Sequence, residues 1–174
     1  MLLVPKHWSI LSAVIAAVAM AAATADSAIK TGSGLADYVL VKKSERKLFL
    51  FREGRVLKSF DISLGLNPEG AKQMEGDFRT PEGVYHLEAK NPNSDFFLSI
   101  KISYPSEGDR REARRRGKDP GGQIMIHGHP NEPKYPLSHY RERDWTDGCI
   151  AVSNSDMVDI WLMIQQDTPI EIRP

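Results

Sequence analysis

Apolar and polar residues alternate along "DYVLVKK" (37–43) and "KLFLFRE" (47–53), the period-two pattern of half-buried strands. Glu53 and Gly54 stand where a tight turn would send the chain into a third strand, "VLKSFDISLG" (56–65), so the three predict a meander. Residues 65–82 are dense in Gly, Pro, Asn and charge and end in "GDFRTPEG", which reads as a loop delivering the chain into a strand at "VYHLEAK" (84–90). "FFLSIKISY" (96–104) and "QIMIHGH" (123–129) predict two further strands, and "TPIEIRP" (168–174) a closing one. Between them, "PSEGDRREARRRGKDPGG" (105–122) offers a short Arg-rich helix stopped by Asp119, Pro120, Gly121 and Gly122. Asn154 is the expected N-cap of one firm helix with Met157, Ile160, Trp161 and Ile164 on a single face. Many short strands and one firm helix predict a mainly β domain.

The first 25 residues do not belong to that domain. Lys6 precedes an apolar run from Ile10 to Ala23, and Ala23, Thr24 and Ala25 supply small residues ahead of Asp26. This is the order of a secretory signal peptide, and the run is short for a bilayer span of roughly 20 residues. The expected organisation is a signal peptide at 1–25, a short N-terminal segment at 26–37 and one domain at 38–174. An exported protein of the periplasm or cell envelope follows, with no stable membrane insertion after cleavage. Removing residues 1–25 takes away Lys6 and no acid, so 23 basic against 23 acidic residues become 22 against 23. That balance gives no electrostatic case for binding nucleic acid.

A single cysteine, Cys149, cannot close an internal disulfide. Its thiol is inert in the core, paired with another chain, or reactive. Reactive cysteine chemistry needs a base to take the thiol proton and donors to receive an oxyanion. His127 ends the strand-like "MIHGH", and Gly148 precedes Cys149 where a tight turn would expose sulfur and backbone N–H groups. Spacing alone does not bring them together.

The combined motifs go further. "GDFRTPEGVYHL", then "IMIHGH", then "TDGCIAVSNSDM" followed by a helix and a strand resemble, in that order, the L,D-transpeptidase catalytic domain family of bacterial cell-wall enzymes. The likeness spans residues 38–174 and implies an L,D-transpeptidase-like β-sandwich. It implies Cys149 as nucleophile, His127 as general base, the Gly128 carbonyl as the group orienting the imidazole, and an oxyanion hole around Gly148. Thr146 fills the Ser/Thr position of the cysteine motif, while Trp145 and His129 are expected to line the pocket. The implied reaction is acyl transfer on peptidoglycan stem peptides. Cysteine attacks the carbonyl joining a diamino acid to D-alanine, D-alanine leaves, and an amine resolves the thioester. The acceptor amine would come from a second stem or a lysine of a wall-attached protein. An L,D-carboxypeptidase or amidase using water, and a non-catalytic wall-binding module, are the alternative readings. No metal or organic cofactor is implied. His127 and His129 with Cys149 or His139 match no familiar zinc spacing.

Two departures from the family pattern matter. Many members carry histidine where this chain has Asp147, and arginine where it has Ala151. A carboxylate facing the sulfur would oppose thiolate formation, so Asp147 is expected to turn into the loop and accept backbone N–H bonds instead. "PNEPKYPLSHYRERDW" (130–145) lengthens the path between His127 and Cys149 and reads as a lid or wall. Arg110, Arg111, Arg114, Arg115 and Arg116 read as a solvated helix face, with stem-peptide carboxylates or an anionic wall polymer as the alternative partner.

Overall fold

The computed structural model describes residues 34–174; the expected signal peptide and most of the segment after it lie outside the described residues. Strands β1 (Tyr38–Lys42), β2 (Lys47–Arg52) and β3 (Arg55–Asp61) form the expected antiparallel meander. The β2–β3 turn places both Glu53 (φ 49°) and Gly54 (φ 73°) in the left-handed region, the geometry that matches the twist of a two-residue hairpin. Next come β4 (Gly83–Ser94), β5 (Phe97–Ile102), α1 (Glu107–Arg115) and β6 (Met125–His127), then α2 (Leu137–Glu142), β7 (Ile150–Ala151), α3 (Asn154–Met163) and β8 (Pro169–Arg173).

The strand order is β3-β2-β1-β8-β4-β5-β6-β7, antiparallel except at β1–β8 and β6–β7. Twelve-residue β4 serves two partners. Gly83 to His86 pair with β8, whereas Leu87 to Ser94 pair with β5 across two irregularities in register. Such bulges let a strand bend from one layer into another. The two ends of the order also meet. Ser63, just beyond β3, exchanges two hydrogen bonds of 2.8 Å with Ala151 of β7. Inward-facing Val39, Val41, Leu48, Leu50, Leu87, Ile100, Ile126, Ile170 and Ile172 fill the core, and Met157, Ile160 and Ile164 close it.

Helix ends differ from the sequence expectation. Ser106 and Asp109 form a reciprocal capping box at the start of α1, but the helix stops at Arg116, with Gly117 left-handed (φ 65°). Glycine just past the last turn ends the helix before Asp119, Pro120, Gly121 and Gly122 are reached. The cap of α3 is Ser153, whose hydroxyl accepts from the Asp156 N–H (3.1 Å); Asn154 is the first helical residue. Trp161 is half-buried against the core's edge, with the Lys90 ammonium 5.2 Å from its ring centre. The lid-like segment holds α2, which the alternation of its residues did not reveal.

Candidate active site

The turn that carries Cys149 is tied down before the cysteine is reached. Asp144 accepts the Leu64 N–H at 2.8 Å and forms an ion pair with Arg46 at 2.8 Å. Buried Thr146 donates its hydroxyl to the Cys149 carbonyl (2.7 Å) and accepts the Gly148 N–H (3.1 Å). Gly148 has φ 131°, and a Cβ there would lie 2.6 Å from the Arg79 carbonyl oxygen, so only glycine fits. Beneath it, a Cβ on Gly65 would meet the Phe78 carbonyl oxygen at 2.1 Å and the Gly148 Cα at 3.1 Å. Thr80 of the "TPEG" segment is fully buried and accepts the Gly65 N–H at 3.2 Å. Lys43, itself buried, binds the Gly70 and Thr80 carbonyls and the Glu82 carboxylate. The TPxG segment therefore supports the cysteine turn from behind.

His127 ends β6, and the parallel register Ile126↔Ile150 and His127↔Ala151 sets Cys149 one residue ahead of the paired β7. Its ring packs against Phe96 (4.6 Å between ring centres) and edge-on to Trp145 (5.6 Å). The Nδ1 position lies 2.7 Å from the Gly128 carbonyl oxygen, which makes Nδ1 the protonated nitrogen and leaves Nε2 as the basic one. Gly128 is held in turn by its N–H, shared between the Phe96 and Leu98 carbonyls at 3.0 and 3.2 Å. A Cβ on Gly128 would lie 2.6 Å from Asn154 Oδ1, the atom that accepts the His129 N–H at 2.8 Å. Asn154 thus braces the strand end that carries the histidine. Burial lowers the His127 pKa to about 4, against an opposing contribution from the Gly128 carbonyl.

The Cys149 thiol is half-buried and donates to the Gln123 carbonyl at 3.5 Å. Its pKa is raised, first by burial and further by the Asp147 charge, while the Met125 N–H and the Lys72 ammonium act in the opposite direction. Among the described residues no hydrogen bond joins the thiol to His127, and none engages the Cys149 N–H. That amide is free to receive an oxyanion. The Gly148 N–H is not, because Thr146 already accepts it.

Cys149 and His127 line one cavity of about 520 Å³, with Phe96, Trp145, Met125 and Gln123 among its walls. Gln123 carries a left-handed φ of 56°, a strained conformation that aims its carbonyl at the sulfur. Lys72 also faces the cavity, but its charge is matched by Asp77 at 2.7 Å, whose carboxylate accepts the N–H groups of Gln73, Met74 and Arg79. Glu75 and Asp147 line the cavity without an ion pair among the described residues. Asp147 departs from the expectation. It is exposed and accepts no backbone N–H among the described residues; Thr146, with a shorter reach and both a donor and an acceptor, ties the turn instead. His129 also departs. The strand ends at His127, so the two-residue spacing does not hold both rings to one face, and His129 lines a different cavity beside Tyr140. Among the described residues no group of three or more His, Cys, Asp or Glu side chains is placed to hold a metal ion. Gln123, Lys72, Asp77, Phe96 and Asp144 went unrecognised in the sequence, where only the glycines beside Gln123 hinted at unusual backbone.

A β domain of two connected layers, with a cysteine on a glycine turn and a backbone-oriented histidine on the same cavity, defines the class. The chain belongs to the YkuD family, the L,D-transpeptidase catalytic domain, whose sequence model matches residues 36–172. YafK of Escherichia coli (strain K12) is 32% identical over 97 residues, 52% of this chain and 37% of YafK. The chain thus spans little more than a third of that relative's length. The helical cell shape determining protein Pgp2 of Campylobacter jejuni superposes with a TM-score of 0.59 at 26% identity, over 78% of this chain and 46% of Pgp2. Bd1075 of Bdellovibrio bacteriovorus gives 0.54 at 27% identity, over 78% and 46%. An L,D-transpeptidase from Mycobacterium smegmatis shares the fold at 13% identity, with a TM-score of 0.52.

Proposed function

We propose that the chain is a peptidoglycan L,D-transpeptidase in which Cys149 is the nucleophile and His127 the general base. The observation that carries this reading is the shared cavity, onto which a thiol and the basic nitrogen of a backbone-locked imidazole both open beside an unengaged amide. With the His127 pKa lowered to about 4 and the thiol pKa raised, both groups are neutral at pH 7. The thiol must leave Gln123 and pass its proton to His127 Nε2 as sulfur attacks, rather than from a standing ion pair.

The carbonyl attacked is that of the bond between the stem's diamino acid and its terminal D-alanine. The oxyanion forms at the Cys149 N–H, and His127 returns the proton to the departing amine. An amine then attacks the thioester, with His127 taking its proton and the Cys149 sulfur leaving. The unpaired carboxylates of Glu75 and Asp147 draw an ammonium-bearing acceptor to the cavity, where it loses one proton to solvent and attacks as the neutral amine, which supports transfer over hydrolysis. Such an enzyme acts in the cell envelope, as its family does, which accords with an exported chain.

Product analysis on purified muropeptides tests this. Transferase activity yields cross-linked dimers and free D-alanine. Tripeptide stems and D-alanine without dimers would establish water as the acceptor and overturn the amine reading.

A further inference from the structure

A second cavity of about 360 Å³ lies across the Tyr140–Trp145 ring pair from the cysteine: Trp145 lines the first cavity, Tyr140 the second, and the rings meet edge to face at 5.1 Å. His129 opens into it. The residue is 4% exposed, its ring makes no hydrogen bond among the described residues, yet no polar atom of it is sealed from solvent without a partner. A buried imidazole with open hydrogen-bonding positions in a cavity is a receptor for something polar.

The walls carry both signs of charge. Arg141 lines the cavity, with no ion pair among the described residues, as does the start of α3, where the Ser155 N–H has no acceptor among them. These donors suit a carboxylate. The same first turn of α3 carries Asp156, which accepts the Ser153 hydroxyl through one oxygen at 2.7 Å, and Asp61 lies at the rim, paired with Lys47. Two carboxylates on the rim disfavour a multiply charged anion such as phosphate and suit an ammonium.

We propose that this cavity binds the zwitterionic head of a free amino acid, with its carboxylate toward Arg141 and its ammonium toward Asp156 and Asp61. No residue of the Cys149 cavity takes part, so the site stands or falls independently of the proposed reaction. His129 shares the cavity with Arg141 of α2, Asp156 of α3, Asp61 at the end of β3 and the ring of Tyr140, and its charge also acts on His127. Burial and Arg141 lower its pKa against the pull of Asp156. A carboxylate set against Arg141 and an ammonium set against Asp156 act on the His129 pKa with opposite signs, so occupancy is read from the His129 resonances themselves.

The test is NMR titration of the His129 imidazole in the full chain with D-alanine, L-alanine, acetate and ethylamine. Either alanine is expected to shift the His129 resonances. Acetate and ethylamine, each carrying half of the head group, should bind at least tenfold more weakly. Arg141→Gln, an exposed substitution that leaves the fold alone, should weaken alanine binding by a similar factor. Acetate as effective as alanine, binding unchanged in Arg141→Gln, or shifts confined to Trp145 and His127 would each overturn the proposal.

Discussion

At the scale of residues, the site depends on which neighbours hold the thiol neutral. Asp147 lines the cavity and opposes thiolate formation, and nothing else in the turn uses its charge. Asp147→Asn should therefore move the midpoint of Cys149 alkylation by iodoacetamide to lower pH; an unmoved midpoint would show that the carboxylate does not act on the sulfur. His127→Ala should lower turnover by a factor on the order of 100 or more, as loss of a general base does. His129→Ala, on a different cavity, should cost far less, and the reverse order would reassign the base. His127 also links stability to pH. Its folded pKa of about 4 lies below the ordinary 6.5, so as pH falls below 6.5 the unfolded chain gains a proton that the folded one refuses. Stability contributed by the neutral ring is complete above 6.5 and is lost progressively down to pH 4. In His127→Gln, urea unfolding at pH 7 and pH 4.5 should differ less than in the parent chain, and equal losses in both would mean that the ring is not held neutral.

At the scale of elements, the cysteine turn and the start of α3 are where single hydrogen bonds decide geometry. Thr146→Val keeps the shape but leaves the buried Gly148 N–H without its acceptor, at a cost of about 1–3 kcal/mol, with a loss of turnover that Thr146→Ser restores. Thermal unfolding and steady-state rates of the two variants check this. Ser153→Ala should cost about 1 kcal/mol as an N-cap, whereas Asn154→Ala should act through the His129 N–H that it accepts. Legibility in the sequence follows the same division. The strands were legible because burial on one face imposes period two, as in Leu48 and Leu50 of β2, and the Glu53–Gly54 turn was legible because few residues tolerate left-handed φ. Asn154 was misplaced by one residue because Ser and Asn are both good caps, and the choice was made by a long-range bond to the strand end. The bracing of Gly65 by Thr80, or of Leu64 by Asp144, joins residues 15 and 80 positions apart, and no local pattern records such a contact.

At the scale of the whole molecule, closure of the strand order through Ser63 and Ala151 sets β7, and with it Cys149, beside β6 and His127. The motifs carried the family, because Gly128 and Gly148, which they contain, leave no room for a Cβ at their contacts. They did not carry Asp147's orientation, because Thr146 ties the turn and leaves the carboxylate exposed. The central claim is that Cys149 takes the acyl group of a stem peptide and releases D-alanine. Intact-mass measurement of the protein mixed with a purified tetrapeptide muropeptide tests it most directly. The protein mass should rise by that of the muropeptide less D-alanine, with the added mass located at Cys149 by digestion and abolished in Cys149→Ala. D-alanine release that persists in Cys149→Ala would contradict it.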